Sequence, residues 1–158
     1  MGCTMIDGVI ITPLKRIQDS RGEVRHGLRC TDSTFTGFGE VYFSAVVREV
    51  VKGWKKHTKM HSNLIVVSGI IRVVLYDDRK DSSTNGRTQE FVGSIENYSR
   101  LTVPAGIWTA FQGVGNELNL LLNIASILHD PNESVNVPHE STRAQELALP
   151  VLDWSLTP

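Results

Sequence analysis

The sequence predicts an all-β protein, either a β-sandwich or a closed jelly roll, with one short helical segment near its C-terminal end. Strand-like runs are short and frequent, and turn residues separate them along most of the chain. Convincing helical periodicity does not occur before residue 139, so the alternation of strands and helices that builds a parallel α/β sheet is missing. Roughly ten short strands in about 130 residues are typical of a jelly roll.

The first third of the chain contains strand-like runs that are interrupted by a proline, a turn and several glycines. Residues 8–17 (GVIITPLKRI) predict a strand pair or a bent strand broken at Pro13, and DSRG at 19–22 predicts a turn. Residues 23–30 (EVRHGLRC) follow with alternating apolar and polar side chains. In residues 35–47 (FTGFGEVYFSAVV) the glycines permit a bulge or a tight bend.

Short strands continue through the middle of the chain. LIVVSGIIRVVLY (64–76) predicts two strands that meet at Ser68-Gly69. The polar residues 77–88 predict a turn, with Asn85-Gly86 as its sharpest point. The remaining predicted strands are QEFVGSI (89–95), SRLTVPAG (99–106), WTAFQGV (108–114) and LNLLLNIAS (118–126).

The helical segment is expected in HESTRAQELALP, residues 139–150. Ser141 or Thr142 would cap its start, and Pro150 would end it. The chain has 158 residues, enough for one domain with a hydrophobic core and too few for two of ordinary size. We therefore expect residues 1–158 to form a single domain.

Composition excludes several classes of function. The formal net charge is −1 and the charges are well mixed, so we expect neither a nucleic-acid partner nor a membrane surface. No apolar stretch reaches the roughly 20 residues that span a bilayer, and the N-terminal residues do not resemble a secretory signal. Cys3 and Cys30 lack CxxC spacing, which predicts reduced thiols in a cytoplasmic protein, although a bridge between them stays open.

Two histidines four residues apart, His57 and His61, raise the question of a chemical role. On a helix this spacing would place both imidazoles on one face, as in many metal sites. The residues that follow predict a strand instead, and along an unbroken strand Lys55, His57, His61 and Asn63 would share one face. The pair could serve a metal site or an acid/base site, or it could be a solvated loop without function.

Three blocks in this order resemble the cupin-fold sugar-nucleotide epimerases typified by dTDP-4-dehydrorhamnose 3,5-epimerase. They are DSRG (19–22), YDDRKDSSTNG (76–86) and ENYSRLTVPAGIWTAF (96–111), and the resemblance covers about residues 19 to 131. It implies a cupin, that is, a double-stranded β-helix jelly roll, and a nucleotide-linked sugar as the substrate. Fold alone does not fix the reaction, because one fold carries many chemistries.

The resemblance also shows departures at the family's catalytic positions. Where the family has R-G-L-H, this chain has residues 52–55 (KGWK), so Lys55 occupies the position of the base histidine. Thr109 falls where the family has a second active-site histidine. On the strand that supplies the family's tyrosine acid, the resemblance places Asn123 or His129 near that position.

Acid/base chemistry without a metal or cofactor is the interpretation that these residues favour. A divalent ion needs three or four ligands of fixed geometry, and two histidines beside a lysine do not supply them. His57 could act as the base near neutral pH. Lys55 could stabilise an enolate oxygen, or act as a base itself if burial lowers its pKa. The alternatives are that His57 belongs to a solvated loop and that His61 only ends the strand.

Other candidate substrate-binding residues are an arginine, a histidine and two tryptophans. The resemblance implies that Arg21 contacts the diphosphate of a nucleotide, although it could simply pair with Asp19. His26 is expected to face a partner's pocket across a homodimer in which the N-terminal strands cross. Trp54 and Trp108 would line the pocket or belong to the core. Arg79 is expected to brace its turn through Asp77 or Asp78.

The sequence thus predicts a homodimeric cupin that epimerises or isomerises a 4-keto-6-deoxy-hexose linked to a nucleoside diphosphate. Proton abstraction next to the ketone would give an enolate, and a second group would reprotonate it on the opposite face. Two alternatives stay open. One is a 3,4-ketoisomerase, and the other is a non-catalytic cupin that binds a nucleotide sugar.

Overall fold

The computed structural model describes residues 5–155, and over this range the regular secondary structure is almost entirely β-strand. It contains twelve strands, one turn of 3₁₀ helix at Pro131–Glu133 and one α-helix, α1, at Thr142–Glu146. The strands are β1 Ile10–Pro13, β2 Arg16–Asp19, β3 Gly22–Arg25, β4 Glu40–Val46, β5 Val51–His57, β6 Ser62–Ser68, β7 Ile70–Asp77, β8 Thr88–Ser94, β9 Ser99–Val103, β10 Ile107–Gly113, β11 Asn119–Ala125 and β12 Ser134–Asn136.

Two antiparallel five-stranded sheets face each other and form the cupin jelly roll. The first, called sheet A here, has the strand order β1-β9-β6-β11-β4, and the second, sheet B, has the order β12-β5-β10-β7-β8. Strands that are distant in sequence pair within each sheet, as a jelly roll requires. This arrangement confirms the predicted fold class, including the two strands that meet at Ser68-Gly69.

The main hydrophobic core lies between the sheets and is built from the inward-facing residues of their strands. Its side chains come from sheet A at Leu64, Val66 and Leu101, and from sheet B at Ile71 and Val73. These β-branched and aliphatic residues pack well on a pleated surface, which is why the sequence favours strands here. The core fills one end of the sandwich and leaves the other end open.

A second cluster covers the outer face of sheet B. Trp54 and Trp108 are both buried there, against Ala144 of α1 and the segment that follows it. The side chain of Ser141 caps α1 by accepting a hydrogen bond of 3.2 Å from the Ala144 backbone N–H, so the first of the two predicted caps is the one used. The C-terminal residues therefore hold both tryptophans away from the interior of the sandwich.

The polar turn between β7 and β8 is organised by one buried carboxylate, Asp77. Arg79 donates to it through Nε at 2.9 Å, and the hydroxyls of Ser82 and Thr84 donate at 2.6 and 2.7 Å. Burial alone would raise the pKa of Asp77, but these hydrogen bonds hold that pKa well below its usual range. Arg79 thus braces the turn, as one of its predicted alternatives stated.

The strands β2 and β3 form a hairpin that pairs with neither large sheet. Its base is fixed to the body, where Arg16 donates to the Ile95 carbonyl at 3.0 Å and Arg25 donates to the Val67 carbonyl at 3.1 Å. Ile17 and Val24 pair across the hairpin, and both side chains are largely exposed. We call this element the N-terminal arm.

The first strand, β1, pairs with another strand of its own chain, which bears on the predicted crossing of N-terminal strands between two subunits. Residues 10–13 of β1 pair with residues 99–102 of β9, so one edge of β1 is hydrogen-bonded without a partner chain. Cys3 lies outside the described residues and Cys30 is exposed, so the predicted reduced thiols stay a prediction and the alternative of a bridge between them stays open. Within the described residues, no helix is long and apolar enough to span a membrane.

Candidate active site

A cavity of about 230 Å³ opens between the two sheets, at the end of the sandwich that the core does not fill. Its floor is apolar, with Leu64 and Leu121 from sheet A and Phe111 from sheet B. Its polar lining residues are Tyr42, Ser44, Lys52, Lys55, His57, Ser62, Thr109, Asn123 and Asn136. A concave apolar site with a few convergent polar groups is the usual form of a small-molecule site.

A bulge in β5 determines which of its side chains face this cavity. Lys55 pairs with Thr109 and Lys52 pairs with Phe111, so two residues of β5, Gly53 and Trp54, lie opposite the single residue Ala110 of β10. Gly53 lies at the irregularity with a φ of 136°, and a β-carbon there would come within 2.7 Å of Ala110. The bulge places Lys52 and Lys55 on the cavity side although they are three residues apart.

His57 ends β5 at the cavity and forms a hydrogen bond through Nδ1 with the Oε1 atom of Glu133. Glu133 is buried, and its other oxygen accepts the backbone N–H groups of Lys59 at 3.1 Å and Met60 at 3.2 Å. The hydrogen bonds hold the carboxylate in one orientation behind the imidazole. His57 and Glu133 therefore form a dyad in which the carboxylate orients the ring.

Burial and neighbouring charges decide the protonation of the dyad. Desolvation lowers the pKa of His57 below 6.5, and it outweighs the hydrogen bond and charge of Glu133, which raise that pKa. The ammonium of Lys55 lowers it further. For Glu133, burial raises the pKa, but the hydrogen bonds from His57 and the two backbone amides lower it by more. Neutral imidazole beside an ionised carboxylate is the resting state near pH 7.

An ionised carboxylate only accepts hydrogen bonds, so the Nδ1 atom of His57 must carry the ring proton. Nε2 then holds the lone pair, and it makes no hydrogen bond to any residue that the structure describes. This tautomer is the one in which His57 can remove a proton from a ligand in the cavity.

The sequence did not indicate Glu133, although the structure shows it to be the direct partner of His57. The two residues are 76 positions apart, so no local spacing connects them. The only local signal is a turn signature in which Asp130 caps Pro131–Glu133, with its side chain accepting the Asn132 N–H. That signature predicts a rigid turn but not the direction of the Glu133 side chain.

The lining of the cavity carries positive charge. Lys52 and Lys55 both line it, and no carboxylate of the described chain does so directly. The ammonium of Lys52 donates to the Ala45 carbonyl at 2.8 Å, whereas the ammonium of Lys55 makes no hydrogen bond to a described residue. An anionic or strongly polarised ligand suits this lining best.

His61 and Asn63 lie outside the cavity, because the chain bends between β5 and β6. The bend reverses the alternation, so that Ser62 and Leu64 face the cavity instead. Asn63 faces the outer side of sheet A, where it accepts a 2.8 Å hydrogen bond from Thr102. The expectation of one unbroken strand face from residue 55 to residue 63 was therefore wrong.

Trp54 and Trp108 also lie away from the cavity, in the outer cluster of sheet B. The indole of Trp108 donates to Asp78 at 2.7 Å, and the ammonium of Lys56 lies 4.6 Å from the centre of its ring. Neither tryptophan lines the cavity, so the predicted pocket role is wrong for both. The alternative, that both are core residues, is confirmed.

The other predicted residues are divided between the cavity and the surface. Asn123 lines the cavity, as expected, whereas His129 is exposed on the loop after β11 and is not part of the lining. Arg21 lies at the tip of the N-terminal arm with an 88% exposed side chain and pairs with Asp19. His26 follows the arm, and its Nδ1 atom lies 3.0 Å from Arg29. Neither Arg21 nor His26 lines the cavity of its own protomer.

Among residues 5–155, no group of three His, Cys, Asp or Glu side chains has an arrangement that could hold a metal ion. The expectation of chemistry without a metal or cofactor stays a prediction.

Comparisons with known proteins agree with this fold and cavity. Residues 3–145 match the family described as dTDP-4-dehydrorhamnose 3,5-epimerase. The chain is 32% identical over 115 residues to the probable low-salt glycan biosynthesis epimerase Agl13 of Haloferax volcanii, covering 72% of this chain and 71% of that protein.

Two further proteins are similar over most of their length. The spore coat polysaccharide biosynthesis protein SpsL of Bacillus subtilis is 27% identical over 129 residues, covering 82% of this chain and 85% of that protein. The crystal structure of a dTDP sugar isomerase from Desulfovibrio desulfuricans G20 superimposes with a TM-score of 0.83 at 36% identity. That superposition covers 86% of this chain and 87% of the other.

Proposed function

The chain belongs to the dTDP-4-dehydrorhamnose 3,5-epimerase family, and on this premise we propose that it epimerises a 4-keto-6-deoxy-hexose linked to a nucleoside diphosphate. The observation that carries the proposal is the dyad of His57 and Glu133 at the wall of the cavity. A base that is neutral near pH 7, and held in one tautomer, suits the removal of a carbon-bound proton next to a ketone.

The proposed first step is proton transfer from carbon to the Nε2 atom of His57. The bonding pair moves into the carbonyl and gives an enolate, and the adjacent Glu133 carboxylate stabilises the imidazolium that forms. Lys55 lies on the same strand two residues before His57 and faces the same cavity. Its ammonium has no partner among the residues that the structure describes, so it can stabilise the enolate oxygen. The ketone itself acidifies the proton, so the step needs no cofactor.

The geometry favours epimerisation over the two alternatives. Polar groups line both walls of the cavity, with His57 on sheet B and Tyr42 and Asn123 on sheet A. A 3,4-ketoisomerase moves protons on one face of the sugar, so polar groups on the facing wall would not take part in that reaction. A shell that only binds a ligand has no use for a buried carboxylate that fixes the tautomer of a cavity histidine.

Solvent-deuterium exchange tests the proposed function. The chain is incubated in heavy water with a panel of nucleotide-linked 4-keto sugars, and the recovered sugars are analysed by mass spectrometry. We expect one deuterium at a carbon next to the ketone for at least one member of the panel. Removal of the carbon-bound proton by His57 gives an enolate, and that carbon can then take up deuterium from the solvent. The detection of binding without any exchange across the panel would support the non-catalytic alternative.

We also propose that the protein is a homodimer in which the N-terminal arm contacts the partner. An isolated two-stranded hairpin is marginally stable in water, and the exposed Ile17 and Val24 give this arm an uncovered apolar face. A second copy of the chain would cover that face. The crossing would carry Arg21 toward the partner's cavity, where its guanidinium could bind the diphosphate.

Light scattering at micromolar concentration is expected to give the mass of a dimer. Val24→Ser should shift the protein toward monomers, because it places a hydroxyl in the proposed contact. Val92→Ser on β8 is the matched control, since Val92 is also an exposed strand valine but lies on sheet B. A monomeric wild-type protein, or an equal effect of both substitutions, would contradict the proposed arm contact.

A further inference from the structure

Tyr42 is a cavity residue that the sequence did not single out. It lies on β4, directly opposite Asn123 on β11 in the register of sheet A. The Asn123 side-chain amide lies 2.7 Å from the Tyr42 hydroxyl and 3.5 Å from the Ser62 hydroxyl, and it donates to both. The phenol therefore accepts a hydrogen bond, and its own hydrogen is left for another acceptor.

No described residue takes that hydrogen. Tyr42 makes no hydrogen bond as a donor within residues 5–155, and its side chain borders the cavity. Asn123 is 4% exposed, and its Oδ1 atom has no hydrogen-bond partner among the described residues. Unsatisfied buried polar atoms are uncommon in native proteins, and a ligand in the cavity would supply a partner for this one.

The position of Tyr42 complements that of His57. Tyr42 belongs to sheet A and His57 belongs to sheet B, and the cavity separates the two sheets. An inversion at carbon requires that one group removes the proton from one face and another group returns a proton to the opposite face. A sugar ring held between the sheets would present its two faces to these two residues.

We infer that Tyr42 donates the proton that completes the inversion, and that Asn123 is a positioning residue that holds the phenol. This inference rests on the proposed function. After His57 has taken the proton, the Tyr42 O–H bond breaks and a new C–H bond forms on the opposite face as the enolate returns to the ketone. Tyrosinate and imidazolium remain, and exchange with water restores both. The Asn123 N–H and the lysines of the cavity stabilise the tyrosinate.

The inference also explains the asparagine at Asn123. The resemblance placed Asn123 near the position of the family's tyrosine acid, and an amide cannot donate a proton to carbon. Because Tyr42 pairs with Asn123 across two adjacent strands, a phenol one strand away can reach the same part of the cavity.

The test separates inversion from exchange. Tyr42→Phe is incubated in heavy water with a dTDP-linked 4-keto-6-deoxy-hexose, and both the inverted product and the deuterium in the recovered substrate are measured. We expect formation of the inverted product to fall by roughly 10²-fold or more, while exchange with retained configuration continues, because His57 still removes the proton. The ratio of inversion to exchange should also fall in Asn123→Ala.

Tyr76→Phe is the matched control, because Tyr76 packs against the outer cluster of sheet B and is absent from the cavity lining. It should leave the ratio unchanged. If Tyr42→Phe lowers inversion and exchange equally, or lowers neither, the assignment of Tyr42 is overturned while the proposed function stands. A wild-type protein that exchanges no deuterium into this probe or into any other nucleotide-linked 4-keto sugar of the panel overturns both.

Discussion

Replacing His57 by asparagine is expected to lower the rate of deuterium exchange into the substrate by roughly 10²-fold or more. Asparagine keeps a polar side chain at the end of β5, but it has no basic nitrogen with which to remove a carbon-bound proton. Affinity for the nucleotide part should change little, because His57 is proposed to act on the sugar, and the lysines of the cavity remain in place. Exchange kinetics and calorimetric titration with dTDP measure the two effects separately.

His61→Asn is the matched control for this substitution. His61 lies four residues further along the chain and outside the cavity lining, and its contact with Ser126 uses the backbone N–H. The substitution should therefore have little effect on exchange. If the two substitutions had reversed effects, the placement of β5 and β6 around the cavity would be wrong. If neither changed exchange, the chain would not use the proposed chemistry.

The sandwich could be predicted from the sequence because its signals are local. The apolar residues of β6 and β7 and the turn at Gly69 specify two strands and their connection within 16 residues, from Ser62 to Asp77. The asparagine and glycine at the end of the polar turn act over a similarly short range. The choice between two open sheets and one closed roll came from the family resemblance.

The walls of the cavity could be predicted only where the alternation is regular. Lys55 and His57 share a strand face that was predicted to look into the cavity, and both line the cavity in the structure. Asn123 also lines it, but its position was suggested by the family resemblance. His61 and Asn63 follow a bend, and a shift of one residue moves every later side chain to the opposite face.

Long-range partners could not be predicted in this way. Glu133 meets His57 across 76 residues, and Tyr42 meets Asn123 across 81. No motif or spacing in the sequence connects the two residues of either pair. The sequence could not decide between a pocket role and a core role for Trp54 and Trp108 for a related reason, since the C-terminal segment that covers them is also distant in the chain.

Replacing Glu133 by glutamine is expected to lower kcat by roughly 10²-fold or more, because it changes the tautomer of His57. The carboxylate accepts hydrogen bonds on both oxygens, from His57 on one side and from the backbone N–H groups of Lys59 and Met60 on the other. Glutamine has a single oxygen. If this oxygen faces the two backbone amides, the NH₂ group faces Nδ1 of His57, so the ring proton moves to Nε2 and the base is lost.

The pH dependence distinguishes this effect from simple loss of structure. Glu133 raises the pKa of His57, so its removal should lower that pKa and move the acidic limb of the remaining activity to lower pH. Activity needs the neutral imidazole, and this activity is lost as the pH falls through the pKa of His57, which in the wild type lies below 6.5.

Glu133→Asp should restore part of kcat, because it keeps the charge. Glu146→Gln on the exposed side of α1 is the matched control, since it removes a carboxylate far from the dyad. An unchanged kcat in Glu133→Gln would show that Glu133 does not orient the base.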